Sequence, residues 1–300
     1  MIPAPFLKAN DRVALVAPGK SIVEFEGLIA QVEQLLRSWG LQPEVSPSAD
    51  GQHDSYYHFA APDADRLADL QSALDDPEIR AIICLRGGYG TSRLLDQLDF
   101  TGFRKAPKWI VGYSDITALH LHLNQMNFCS IHGPMPVEYP RKGYEAARKS
   151  VRKALFDGPQ DLYFEGNHRG APIEGRLLGG NLSLLVHLLG TVSEPDWTDS
   201  ILFTEEVGEA PYRIDRMLLQ LHRTRRLKQL KGILVGNLAS SPEGQSKSET
   251  LFVEFARQNN LPLWTGFPCE HGPENRALFC GYRVRLTPSD KGTRLQYVSP

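Results

Sequence analysis

The sequence predicts an α/β protein in two parts: a first half built on a mostly parallel sheet with helices on both faces, and a second half richer in strands and less regular. Three observations carry that prediction. In the first half, apolar runs of strand length alternate with segments whose apolar residues recur at three-and-four spacing. A polar stretch rich in Gly and Pro, FDGPQDLYFEGNHRGAPIE (156–174), then breaks the alternation. It reads as a connection and divides the chain into domains over 1–158 and 172–300. The 300 residues suffice for two cores.

Taken in order, RVALVAP (12–18) reads as a buried strand. Ser21 is placed to cap a helix that carries Phe25, Leu28, Ile29, Val32, Leu35, Leu36 and Trp39 on one face, and Gly40 stops it. LQPEV (41–45) is a short strand, and Leu67, Leu70 and Leu74 mark the next helix. RAIICL (80–85) is a buried strand running into Gly87, Gly88 and Gly90. KWIVGY (108–113) is another, followed at once by a helix with Ile116, Leu119, Leu123 and Met126 on one face. Beyond the connection come a short apolar helix (Asn181–Leu189), a strand ILFTEE (201–206) and a helix bearing Ile214, Met217, Leu218 and Leu221. GILVG (232–236), LPLWTGF (261–267), ALFCGYRVRL (277–286) and RLQYV (294–298) read as further strands. In such sheets ligands gather at the carboxyl ends of the strands.

Composition narrows the classes of function. At 41% hydrophobic and 23% charged residues the chain reads as a soluble globular protein, and a net charge of −2 offers no bulk attraction to nucleic acid or an anionic membrane. No stretch approaches the roughly 18 apolar residues of a membrane helix. The N-terminus, MIPAPFLKANDRVALVAPGKS, lacks the charged and long apolar regions of a signal peptide, so the expected location is cytoplasmic. Cys84, Cys129, Cys269 and Cys280 form no C-x-x-C pair and read as buried free thiols. No metal-ligand spacing is present, and neither metal nor cofactor is expected. Oligomeric state is left open, a homodimer included.

The sharpest chemical signal is WIVGYSDITALHL (109–121). Gly112 permits a tight turn at a strand end, Ser114 sits at the turn and Asp115 opens a helix, the layout of a nucleophile elbow. Position 116 is Ile where the second glycine of G-x-S-x-G would stand, and the plainer alternative is that Ser114 or Asp115 merely caps the helix. LRGGYGTSRLL (85–95), also at a strand end, has three glycines in four positions and suits close backbone approach to a ligand or oxyanion. It lacks the G-K-[ST] of a P-loop and does not fit G-x-G-x-x-G. A serine nucleophile needs a base and an orienting acid. Of nine histidines, His120 and His122 read as ordinary helix residues, His53, His58, His168 and His222 as solvated, and His187 as a packing residue. His132 in SIHGPMP and His271 in FPCEHGPENRALF both stand at strand ends before Gly-Pro, and the residues alone do not choose between them. Glu205 and Glu206 in LFTEEVGEAPYRIDR emerge at a strand end, where either a triad acid or a surface acidic turn fits.

Together these segments resemble the muramoyltetrapeptide or LD-carboxypeptidases. The matching stretches run in family order through nearly the whole chain: DRVALVAPGKS, RLADLQSALDDPEIRAIICLRGGYGTSRLL, WIVGYSDITALHL, SIHGPM, EGRLLGGNLSLLVHLLGT, ILFTEEVGEAPYRIDRMLLQL, GILVG and CEHGPENRALFCGYRVRL. The GGYG, GYSDIT and GGNLSLL blocks in series are specific. The resemblance implies an amidotransferase-like α/β domain with the nucleophile, a smaller β-rich domain supplying acid and base, and an active site between them. It implies Ser114 as nucleophile, Glu205 as triad acid, His271 as base, and the backbone N–H groups of Gly88 and Asp115 as oxyanion donors. Two positions depart from the family pattern: Glu270 replaces the Gly before the histidine, and Glu206 replaces the Asp after the acid.

The implied activity is release of a terminal D-alanine from cytosolic muropeptide tetrapeptides during peptidoglycan recycling, with a muropeptide as partner and no nucleic acid or membrane. Arg86, Arg213 and Arg276 stand near the motifs as cations for the terminal carboxylate. The alternatives are an immunity peptidase of the microcin type, acting on peptidyl-nucleotides, and a non-catalytic peptide-binding protein on the same scaffold.

Overall fold

The structure is a computed structural model and describes residues 1–53, 57–169, 172–238 and 242–300. Its strands are β1 (Arg12–Val16), β2 (Gln42–Val45), β3 (Ile79–Cys84), β4 (Trp109–Gly112), β5 (Ser130–His132), β6 (Leu162–Phe164), β7 (His168–Arg169), β8 (Ile173–Asn181), β9 (Ser200–Glu205), β10 (Leu230–Val235), β11 (Leu263–Trp264), β12 (Leu278–Cys280), β13 (Arg283–Ser289) and β14 (Gly292–Ser299). Its helices are α1 (Leu28–Ser38), α2 (Asp63–Asp75), α3 (Thr101–Lys105), α4 (Thr117–Gln125), α5 (Glu145–Asp157), α6 (Leu182–His187), α7 (Pro211–Arg223) and α8 (Pro242–Gln258).

Two sheets organise the chain. The first has the order β12-β5-β4-β3-β1-β2; β1 to β5 are parallel, and only β12 runs antiparallel, against β5. The second has the order β6-β14-β13-β8-β9-β10-β11-β7, a parallel centre of β8 to β11 flanked by antiparallel strands. The parallel strands read as unbroken apolar runs because helices cover both faces: Ala81 to Leu85 and Trp109 to Val111 are buried throughout. Trp109 stacks on Phe6 at 5.7 Å and meets Phe279 of β12 edge-on at 5.4 Å.

Four local expectations are corrected. Ser21 does not cap α1: its hydroxyl donates to the Gly51 carbonyl and accepts from Val23 N–H, and the helix begins at Leu28 after a left-handed Gly27. The stretch 156–174 is more than a connection. It holds the end of α5 and the short strands β6 and β7, which pair into the second sheet; its residues 170–171 lie outside the described residues. LPLWTGF shortens to Leu263–Trp264, cut off by Gly266 at φ 71°. The run 277–286 is two strands, β12 in the first sheet and β13 in the second. Gly281, at φ 95°, turns the chain between them, and a methyl group there would lie 3.0 Å from Met1 Cε. Buried strands in two sheets have the same apolar signature, so the break was hidden in the sequence.

The two sheets meet where β8 ends. Gly179 and Gly180 adopt φ values of 156° and 141°. A methyl group on Gly179 would fall 1.8 Å from the Phe203 carbonyl of β9, and one on Gly180 would fall 2.3 Å from Thr117 Oγ1 of α4. Only glycine permits that approach. Asn181 N–H then donates to Thr117 Oγ1 at 3.0 Å, and Asn181 pairs in register with Glu205. The end of β9 is thereby locked against the helix that follows Ser114.

Candidate active site

The elbow is built from a contiguous stretch. β4 ends at Gly112, Tyr113 is extended, and Ser114 takes the left-handed conformation at φ 59°. A non-glycine residue held there costs about 1–3 kcal/mol, which the surroundings must offset. They do so on two sides. A methyl group on Gly112 would lie 2.8 Å from Ile116 Cγ1, so Ile116 packs where a larger residue would push the turn open. His120 Nε2–H donates to the Gly112 carbonyl at 2.8 Å. A 3-10 turn (Ser114–Ile116) leads into α4, where the first N–H groups have no intrahelical acceptor. The capping alternative fails: the residue preceding α4 is Ile116, and no side chain caps either turn or helix.

Asp115 instead ties the elbow to the Gly-rich turn. Its buried carboxylate accepts from Thr91 N–H at 2.9 Å and from Thr91 Oγ at 2.7 Å. Burial raises its pKa against those bonds and the charge of Arg66. A methyl group on Gly87 would sit 3.3 Å from Asp115 N, so the turn lies on the start of the 3-10 helix, and Gly88, next along, adopts φ 97°. The two residues expected to supply oxyanion donors thus belong to two segments in direct contact.

Glu205 and His271 come together. Glu205, the last residue of β9, is fully buried, and His271 sits in the loop between β11 and β12. His271 Nδ1–H donates to Glu205 Oε2 at 2.8 Å, while about a quarter of the histidine side chain remains accessible. Burial lowers the histidine's pKa, but the charge and hydrogen bond of Glu205, with Glu138 and Glu206 behind, more than offset it, and the net shift is upward. The imidazole lies 4.8 Å from the Tyr113 ring, centroid to centroid, which places it over the residue preceding Ser114.

Glu206 does something different. It accepts from Asn181 Nδ2 at 3.0 Å, Ser183 N at 2.8 Å and Ser183 Oγ at 2.6 Å, and so clamps the start of α6. The acidic pair is buried, so the surface-turn alternative is also removed.

Sequence reasoning missed two members of this site. Tyr113 donates its hydroxyl to Glu138 Oε1 at 2.7 Å, and Glu138 Oε2 takes the Met135 N–H at 3.2 Å. Both are buried; burial raises each pKa, and for Tyr113 the charge of Glu138 raises it further, which keeps the phenol a donor. In sequence, Glu138 resembles any acid in a short turn, and no local signal distinguishes it.

His132 lies in the core. It is fully buried, with Cys269 Sγ 3.2 Å from Nε2 and Phe203 edge-on at 5.1 Å, and burial drives its pKa well below the usual histidine range. His120 is buried too, with a pKa lowered by burial to about 4. His187, expected to pack, is exposed: it falls on the outer side of α6, while Leu182 and Leu185 face inward. The four cysteines are buried and free. Arg86 is held by Glu24 at 2.8 Å and the Ser21 carbonyl, Arg213 by Glu209 at 3.1 Å, and Arg276 by Glu274 at 2.7 Å. Among the described residues no three His, Cys, Asp or Glu side chains group as a metal centre would need, and no helix is long and apolar enough to cross a membrane.

Comparison with known proteins identifies the family. Residues 13–133 match the LD-carboxypeptidase N-terminal domain and residues 174–286 the LD-carboxypeptidase C-terminal domain. The murein tetrapeptide carboxypeptidase of Pseudomonas aeruginosa is 35% identical over 305 residues, covering 96% of this chain and 95% of that protein. A probable murein peptide carboxypeptidase of Bacillus subtilis is 33% identical over 95% of this chain and 91% of its own length. The crystal structure of muramoyltetrapeptide carboxypeptidase from Oxalobacter formigenes superposes with a TM-score of 0.84 at 28% identity, over 95% of this chain and 98% of that one. The microcin C7 self-immunity protein shares the fold at 19% identity, with a TM-score of 0.86 over 100% of this chain and 99% of that one. With both domains matched and full-length relatives above 30% identity, the chain belongs to the LD-carboxypeptidase family and is a serine-type carboxypeptidase.

Proposed function

We propose that this protein releases the terminal D-alanine of muropeptide tetrapeptides with a Ser114–His271–Glu205 triad. The observation that carries the reading is the 2.8 Å bond from His271 to buried Glu205, beside an elbow that presents Ser114. With Nδ1–H engaged by the carboxylate, Nε2 is the lone-pair nitrogen and accepts the Ser114 proton. Ser114 Oγ attacks the carbonyl of the penultimate residue, and the N–H groups of Gly88 and Asp115 stabilise the developing oxyanion, a contribution of roughly 3 kcal/mol per donor in comparable sites. His271 protonates the departing amine, and water, deprotonated by the same imidazole, resolves the acyl-enzyme.

The substrate follows from the relatives that act on murein tetrapeptides. The four unpaired cysteines suit a reducing compartment, which supports cytosolic recycling of wall peptides as the setting. The test offers tetrapeptide, pentapeptide and an all-L analogue to the purified protein and measures free alanine by stereoisomer. D-Alanine from the tetrapeptide alone is expected. Equal cleavage of all three leaves a serine peptidase without LD selectivity, and cleavage of a peptidyl-nucleotide with tetrapeptide untouched reassigns the protein to the immunity-peptidase reading.

A further inference from the structure

We infer that Lys20 builds a carboxylate-binding subsite at the lip of the proposed active site and holds the C-terminal carboxylate of the peptide. The inference rests on the carboxypeptidase reading and on the assignment of Gly88 as an oxyanion donor. Lys20 lies in the loop after β1, and its backbone N–H donates to the Gly87 carbonyl at 3.1 Å. Its side chain then runs across Gly88: a methyl group there would lie 2.6, 2.8 and 3.2 Å from Lys20 Cδ, Cγ and Cβ. The aliphatic stem thus rests on the turn assigned to the oxyanion hole and carries the ammonium alongside it.

Charge bookkeeping among the described residues favours Lys20 over the cations nearer the motifs. Arg86, Arg213 and Arg276 each have a carboxylate partner of their own, and Arg66 and Arg93 share Asp63. Lys20 makes no ion pair with any described residue and faces an open cavity of about 450 Å³ lined by Tyr57, His58, Gly88 and Tyr89. The Tyr57 and Tyr89 rings meet at 5.1 Å and Phe59 stands behind both, with the Arg66 guanidinium 4.4 Å from the Phe59 ring centre. The cavity therefore offers an aromatic wall for a small aliphatic side chain and one cation that makes no ion pair among the described residues.

Chain geometry explains why the anion is a carboxylate one residue past the scissile bond. Successive Cα atoms are about 3.8 Å apart, so that carboxylate lies within a few ångströms of the attacked carbonyl, and its anchor must lie beside the oxyanion hole. A lysine whose stem touches Gly88 meets that requirement. One further residue, as in a pentapeptide, moves the carboxylate outward by about 3.5 Å and leaves the ammonium facing an uncharged peptide unit. Lysine acts here as a point charge, without a planar fork.

The experiment compares the tetrapeptide free acid with its C-terminal carboxamide. Lys20→Met keeps the stem over Gly88 and removes the charge; Lys20→Gln is the second variant should the first not fold. On the acid, KM is expected to rise about 10- to 100-fold with kcat within a few-fold, and Lys20→Arg to restore part of the loss. On the carboxamide, the substitution should change nothing. Equal losses on both substrates, or none on the acid, overturn the inference. A binding arm uses Ser114→Ala and calorimetry with the same two peptides, so that no turnover is needed. Tighter binding of the acid, abolished by Lys20→Met, supports the subsite; equal binding of acid and carboxamide, or binding of neither, overturns it. A wild-type enzyme that binds the acid selectively yet releases no D-alanine defeats the proposed reaction while leaving the carboxylate subsite standing.

Discussion

The proposed nucleophile and the proposed acid–base pair of this molecule are built in opposite ways. Ser114 is set by residues within a dozen positions of it: Gly112 and Ile116 shape the turn, His120 pins the Gly112 carbonyl, and α4 follows directly. Glu205 and His271 are 66 residues apart in sequence and meet only because β9 and the loop after β11 converge on the elbow. The comparison teaches that strain at the Ser114 turn is contained locally, whereas the orientation of His271 depends on which strand ends the second sheet brings together. Damage at the first should remove chemistry without unfolding the protein, and damage at the second should alter both rate and pH dependence.

The largest expected effect sharpens the local side. Ser114→Ala should fold as the parent does and lose at least about 10³-fold in kcat, because no acyl-enzyme forms. Turnover close to that of the parent would break the comparison at its root. His271→Ala should lose a similar factor with a smaller loss of thermal stability than His132→Ala, since the His271 side chain is partly accessible although buried Glu205 loses its partner. His132→Ala should do the reverse. It opens a hole beside Phe203 and Cys269 and lowers the unfolding temperature, while the variant that remains folded keeps turning over. A dead His132 variant of full stability would move the base.

The acids divide along the same line. Glu205→Gln should cut kcat strongly and shift the acid limb of kcat/KM to lower pH. The base works when neutral, so activity rises with pH through the His271 pKa, and that pKa stands above the usual histidine value chiefly through Glu205. Glu206→Gln should cost little activity but some stability, because it keeps one acceptor oxygen where Asn181 and Ser183 use two. The reverse ranking, read from pH–rate profiles of both variants, would shift the site by one residue.

A separate effect concerns stability against acid. His120 is buried neutral, with a folded pKa near 4 against 6.5 for a free side chain. The unfolded chain therefore binds the extra proton first. His120 contributes fully above about pH 6.5, and its contribution falls away toward pH 4, a change on the order of 3 kcal/mol. Buried His132 adds in the same direction. Denaturant midpoints between pH 7 and pH 4 should fall accordingly, and less steeply in His120→Gln. An identical slope in that variant would remove His120 from the account.

The elbow was legible because each of its physical requirements is local. A glycine at the end of an apolar run, a serine, and a helix with apolar three-and-four spacing describe a strand–turn–helix whatever the rest of the chain does. The GGYG and GGNLSLL blocks were legible as glycines that let backbones approach, though not as what they approach: the Asp115 N–H for Gly87, the Phe203 carbonyl and Thr117 for Gly179 and Gly180. The residues by themselves left His132 and His271 level, since both precede Gly-Pro at a strand end; resemblance to a family chose between them. The fold separates them by burial, one sealed between Phe203 and Cys269, the other open on one side and bonded to Glu205.

Sequence alone therefore determined the alternation of strands and helices and the strand–turn–helix that carries Ser114, because these depend on periodicity and on neighbours in the chain. Tertiary structure alone decided that 277–286 serves two sheets, that Tyr113 and Glu138 stand beside His271, and that Lys20, unlike Arg86, Arg213 and Arg276, makes no ion pair with any described residue. Each of these depends on which distant residues meet, and a side chain's charge or burial is set by that meeting.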